Sequence, residues 1–155
     1  MNVTTAISRI KAAGHDISDE YGSERCLEFL NKAVQQVSAL LISNRYPALV
    51  KEMLIHNGDK LPKNYCRAAG TYPLRMTDNK AEIIDDDLQS VRFRYFALPD
   101  ALIESSKELP YDHDGINAVI VATAVLLALN ENEYDVSQDA NLMEALQTAM
   151  AAAMQ

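Results

Sequence analysis

No stretch of this chain reaches the roughly twenty apolar residues that a bilayer core requires. The longest candidate, Ile116 to Leu129, is shorter and is interrupted by Asn117 and Thr123, so membrane insertion is not expected. The opening segment MNVTTAISRIKAAGHDISDE has no long apolar core and no small-residue cleavage site, and it does not read as a secretory signal. Cysteine is scarce: Cys26 and Cys66 each sit inside an apolar pattern, which suits buried free thiols in a reducing compartment better than a disulfide framework. The three histidines, His15, His56 and His113, lie far apart, and their spacing gives no zinc signature. Gly14, Gly22, Gly58, Gly70 and Gly115 compose neither a phosphate-cradling loop nor a nucleophile elbow. The expectation is a protein without catalytic residues, cofactor or resident metal.

Positive charge is also scarce, and it is unevenly placed. Residues 1–77 carry ten Lys/Arg against seven Asp/Glu, whereas residues 78–155 carry four against fifteen. An acidic second half repels phosphate backbones, and no Lys/Arg stripe elsewhere is large enough to neutralise several phosphates, so tight nucleic-acid binding is disfavoured. The asymmetry reads most simply as a solvated acidic face. It would also let the basic part of one subunit meet the acidic part of a neighbour.

What is present is hydrophobic periodicity. With 155 residues and 48% hydrophobic side chains, one compact domain with a sizeable core is expected. Val3, Ile7 and Ile10 predict a helix over 3–14, ended by Gly14. Cys26, Leu30, Ala33, Val34, Val37, Leu40 and Leu41 predict a longer one over 24–43, with Ser23 as its N-cap. NRYPALVKEMLIHNGDKLP suggests a third over 46–57, Pro47 in its first turn and Asn57-Gly58 stopping it. From 64 to 98 the pattern becomes extended: YCRAAG, YPLRM, AEII and SVRFRYFAL, the last alternating Val91, Phe93 and Tyr95 with Arg92, Arg94 and Phe96. A polar linker, IESSKELP, leads to a helix over 113–131 that is apolar nearly all round. A final helix over 138–153 places Leu142, Leu146, Ala149, Met150 and Ala153 on one stripe. The fold class is therefore mainly α within α+β: a helical bundle with an inserted small antiparallel β meander.

Three clusters invite a functional reading. Asp112-His113-Asp114 has the atoms of a metal or acid–base site, but adjacent residues at a helix start diverge and no other His or Cys cluster supplies ligands. After Pro110 the triplet reads as a helix start, with Asp112 as N-cap and Asp114 in the first turn, where the helix dipole favours a carboxylate. An enzyme using His113 with Asp112 or Asp114 lacks a supporting constellation. Asp85-Asp86-Asp87 reads as a turn between strands rather than a cation site. Arg92 and Arg94, interleaved with aromatic residues, read as the solvated face of a half-buried strand rather than a nucleic-acid strand. The Met side chains at the C-terminal end, Met143, Met150 and Met154, fit either the core or a surface that receives another protein.

The stretches SERCLEFLNKAVQQVSALL, KLPKNYCRAAG, VRFRYFALPD and ELPYDHDGINAVIVATAVLLALNENE, in that order and spacing, resemble the head-to-tail adaptor (connector) proteins of tailed bacteriophages. They are similar, in turn, to that family's first long helix, its Leu-Pro entry into the sheet, the strand closing the sheet, and the Leu-Pro segment before a buried helix. The resemblance covers roughly residues 16–150 through loose patterns of residue type. It implies a structural virion protein at the head–tail interface, assembled in the host cytoplasm. Its subunits would form a homo-oligomeric ring, commonly a dodecamer, between the portal protein and the tail or neck proteins. DNA would pass through without specific binding, slipping past an acidic surface. Family members often send their last helix or tail into the portal; here the chain stops directly after its final helix. The partner-binding residues expected on that helix are Ala149, Met150, Ala153 and Met154. The alternative is a small intracellular regulatory or chaperone-like protein-binding module whose acidic face masks a basic partner.

Overall fold

The computed structural model describes residues 1–14, 23–103, 106, 108–130 and 132–154. Its elements are α1 (Val3–Gly14), α2 (Ser23–Ser43), β1 (Val50–His56), β2 (Tyr65–Ala68), β3 (Leu74–Thr77), β4 (Lys80–Ile83), β5 (Ser90–Ala97), α3 (Asp114–Leu129) and α4 (Ala140–Ala153). The fold class is α+β, helices followed by strands followed by helices. The chain divides into two compact units: Met1–Leu41 with Pro99–Gln155, and Ile42–Leu98. The Ser23 side chain, His15 and the expected end of the third long helix at Glu131 lie outside the described residues.

The helical unit is built on α3. This helix is apolar on every side because it is covered on several: Ile116, Val119, Ile120, Val121, Ala124, Leu127 and Ala128 are all buried. Both α1 and α4 pack against it. α2 buries Cys26, Phe29, Leu30, Ala33, Val34, Val37 and Leu41, positions three or four apart along one stripe. Each such Leu or Phe contributes about 1.5–3 kcal/mol of transfer free energy. The polar side chains of α2 fix the irregular chain around it. Asn31 brackets the backbone of Leu102, Gln36 that of Tyr134 and Val136, and Ser38 meets the Tyr111 hydroxyl at 2.5 Å.

The β unit corrects one expectation outright. Residues 46–57 are not a helix: Pro47–Leu49 form a single 3-10 turn and Val50–His56 are strand β1. Local spacing allowed a helix, but β1 pairs antiparallel along its whole length with β5, setting Met53 beside Phe93 and Ile55 beside Val91. Pairing with a half-buried aromatic strand outweighs weak helix propensity. Nor is the insertion one meander. β5 lies between β1 and β2 in a three-stranded sheet, while β3 and β4 form a separate hairpin. The hairpin turns at Asp78 and Asn79, both with positive φ (50° and 64°), the pair of left-handed residues that a two-residue turn between twisted strands requires.

One face of the sheet carries the core of this unit, Ile55, Phe93, Tyr95 and Ala97, with Ala81 from the hairpin. Tyr72 meets Phe93 edge-on at 5.1 Å and Phe93 stacks on Tyr95 at 5.6 Å, arrangements that suit the quadrupoles of the rings. The alternation expected in β5 is present, with Val91, Phe93 and Tyr95 inward and Arg92 and Arg94 exposed. The turn at Asp85–Asp87 is also present: the Asp85 carboxylate accepts the Asp87 N–H at 3.0 Å. Cys26 is buried and free; Cys66 is free too but exposed, not buried as its apolar neighbours suggested, because the β2–β5 register shifts between Tyr65 and Arg67 and leaves Cys66 as the unpaired residue of the irregularity.

Candidate functional site

The start of α3 is a helix cap, as the sequence suggests, but Asp112 is not the capping residue. His113 is: its Nδ1 accepts the Gly115 N–H at 3.1 Å, so the proton of the neutral ring sits on Nε2. The helix begins one residue later than expected because the His113 carbonyl already accepts the Asn117 N–H and the Asn117 amide donates to the Tyr111 carbonyl at 2.8 Å. Asp114 occupies the first turn, where the helix dipole favours it. Among the described residues, His, Cys, Asp and Glu side chains form no group of three able to hold a metal ion.

Gly115 has a packing reason. A Cβ built there would lie 2.9 Å from the Ala149 Cβ and 3.0 Å from the His113 ring, so only glycine lets α4 approach the start of α3 this closely. Beside that contact, residues of both helices line an open groove of about 620 Å³. Five of the residues lining it are small, Gly115, Ala118, Ala145, Ala149 and Ala152, beside Val119, Leu142, Glu144 and Thr148. Asp112 and Asp114 are exposed on either side of His113, which lines the groove. Residues 108–154 carry eight Asp/Glu and no Lys or Arg.

The four partner-binding residues expected on α4 differ in exposure. Ala149 and Met150 are each 6% exposed, on the same side as fully buried Leu146, because that side of the helix faces α3. Their place is inside the chain, with Ala149 reaching only the floor of the groove. Ala153 is half-buried, and Met154, 54% exposed, is the one apolar member of the set open to solvent. The groove beside the stripe uses Ala145, Thr148 and Ala152, residues that a search for large apolar side chains passes over.

A second surface lies on the β unit. The face of the sheet opposite its core pairs Glu52 with Arg94 and Leu54 with Arg92, and Arg67 with Phe96. The guanidinium groups of Arg45 and Arg67 sit 5.9 and 5.5 Å from the Phe96 ring centre, cation–π contacts that hold these two on the face where Arg92, Arg94 and Glu52 also project. Arg92 bridges Glu52 at 3.2 Å with both side chains exposed, which is worth little in itself. Leu54 is 53% exposed among them. The charge division first visible between the halves of the sequence is nearly as sharp between the structural units. The β unit has nine Lys/Arg against seven Asp/Glu, and the helical unit five against fifteen.

Tyr134 and Asp139 form a third feature. The Tyr134 hydroxyl donates to the Asp139 carboxylate, which also caps α4 by accepting the Leu142 N–H at 3.0 Å. Burial, reinforced by that carboxylate, pushes Tyr134 up to about 12, and the hydroxyl's hydrogen bond holds Asp139 below the usual carboxylate range. The pair joins the loop before α4 to the helix start. Neither protein-family models nor curated proteins yield a match to this chain.

Proposed function

We propose that this chain is a structural subunit of a ring that connects the portal of a tailed-bacteriophage head to the tail and extends the DNA channel. The carrying observation is the α3–α4 face: an open groove lined largely by glycine and alanine, with Glu144 along it and Asp112 and Asp114 exposed beside His113, in a stretch without a single Lys or Arg. Small lining residues admit close backbone approach from another protein, and uncompensated carboxylates repel DNA rather than hold it. The resemblance supplies the setting, since the order of helices, sheet insertion and buried helix matches what it implies. Among the described residues no helix is long and apolar enough to cross a membrane. A virion location and assembly in the host cytoplasm belong to this reading, as does the absence of catalysis.

Electron microscopy of portal rings mixed with the protein tests it. Added density of ring symmetry on one end of the portal is expected. A protein that leaves portals bare and instead forms a one-to-one complex with a basic polypeptide would favour the chaperone-like alternative, which uses the same acidic face.

A further inference from the structure

We infer that the arginine face of the β unit in one copy docks into the carboxylate-flanked α3–α4 groove of a second copy. The inference rests on the ring reading and gives the ring its subunit contact.

Charge decides the occupant. The groove has Glu144 along it and Asp112 and Asp114 exposed beside His113, with no cation in residues 108–154 to neutralise them. The sheet face has Arg45, Arg67, Arg92 and Arg94 against Glu52, and the exposed Leu54 between the charges. The two surfaces are opposite in sign; Arg92 and Arg94 are exposed, Arg92 bridging only the exposed Glu52, while Arg45 and Arg67 each donate one N–H to a backbone carbonyl. The match extends to the apolar part. A groove floored by Ala118, Ala145 and Ala152 accepts a branched side chain, and guanidinium groups suit carboxylate partners at its edge because they bond two oxygens at once.

The geometry of association follows from the surfaces being different. A contact between two unlike patches is head-to-tail, so each copy keeps one free donor face and one free acceptor face, and growth ends only when the rotation closes a ring. Association driven by exposed charge weakens as salt rises.

Two variants, each damaging one face, test this. Arg92→Glu/Arg94→Glu reverses the sheet face, and Glu144→Lys/Ala145→Trp fills and reverses the groove; all four positions are exposed, so both should melt like the wild type. By sedimentation velocity the wild type should form salt-sensitive oligomers and each variant alone should remain monomeric. An equimolar mixture of the two variants should give dimers and nothing larger, because only one intact pair of faces survives. Wild-type oligomers that neither variant disturbs overturn this contact while leaving the ring reading standing. A wild type that stays monomeric yet decorates portals also overturns this contact alone, whereas one that neither associates nor decorates overturns both. Duplex DNA retained by the wild type and released by Arg92→Glu/Arg94→Glu would make the arginine face a nucleic-acid surface and overturn the inference.

Discussion

The side-chain amide of Asn31 closes both of its hydrogen bonds on one residue, Leu102: Nδ2 donates to the Leu102 carbonyl at 3.0 Å, and the Leu102 N–H donates to Oδ1 at 2.7 Å. An amide side chain thereby stands in for a neighbouring strand. Gln36 does the same five residues along α2, donating to the Tyr134 carbonyl at 2.7 Å and accepting the Val136 N–H at 2.9 Å. The chain before α3 and the chain after it are thus both tied to α2 without regular structure of their own.

Asn31→Leu should therefore cost about 1–3 kcal/mol, since it strands a partly buried N–H and carbonyl of Leu102 rather than merely losing a contact. Asn31→Asp, which keeps the acceptor and loses the donor, should cost less. Thermal melts give the magnitude. Amide hydrogen exchange should show Leu102 losing protection in the Asn31 variants and Val136 losing it in Gln36→Ala, each without the other.

The start of α3 offers a sharper comparison. His113→Ala should lose about 0.5–2 kcal/mol as the cap goes, while Asp112→Ala should change little. Gly115→Ala should cost about 1–3 kcal/mol, because its Cβ meets both Ala149 and the capping ring. In a double-mutant cycle with Ala149→Gly the two changes should couple favourably. A Gly115→Ala variant as stable as the wild type would show that α4 moves aside freely.

Much of this was legible in the sequence. The periodicities of Val3, Ile7 and Ile10, and of Cys26 through Leu41, give α1 and α2 nearly to the residue because amphipathic spacing is a local signal. β1 was not legible: what makes Val50–His56 a strand is its partner β5, more than thirty residues away, and Met53 with Ile55 reads as a strand face only once Phe93 and Val91 stand opposite. The capping residue was missed by one position because histidine is an uncommon cap and the Asn117 amide, not the triplet, sets where the helix begins. The groove was invisible for another reason. Ala118, Ala145 and Ala152 carry no chemical signature, and only the packing of α4 on α3 gives them a shared surface.

The Tyr134–Asp139 pair predicts a pH dependence whose sign is fixed by the direction of each shift. Asp139 is held below the ordinary value of 3.8, first by the Tyr134 hydroxyl and then by the Leu142 N–H. The stability this provides is complete above the ordinary carboxylate value and is lost as pH falls through the lower, folded one. Tyr134 is raised from 10.0 to about 12, so its share is complete below the ordinary tyrosine value and lost as pH rises through about 12. Asp139→Asn keeps an oxygen to cap α4 but cannot titrate. Its melting temperature should fall less than that of the wild type on acidification, with a residual slope from Asp135, which its bonds to Ser137 also lower. Parallel acid curves for the two proteins would remove the pair from the balance.

The end of α4 separates packing from docking by truncation at two points. Leu146, Ala149 and Met150 face α3, and the Ala149 Cβ sits against the only position on α3 that lacks one, Gly115. Removing residues 149–155 should therefore lower the melting temperature markedly, as loss of a buried Met alone costs about 2–5 kcal/mol when the site cannot collapse. Removing 151–155 should not, because Met154 is exposed and the last turn of a helix frays. The shorter truncation is then the informative one for function. It deletes Ala152 from the groove floor together with Ala153 and Met154, the members of the expected docking stripe that the fold leaves available. A protein shortened to Met150 that melts like the wild type but fails to decorate portal rings would place this end of α4 in the contact. Normal decoration by the same protein would leave residues 151–155 out of the portal contact.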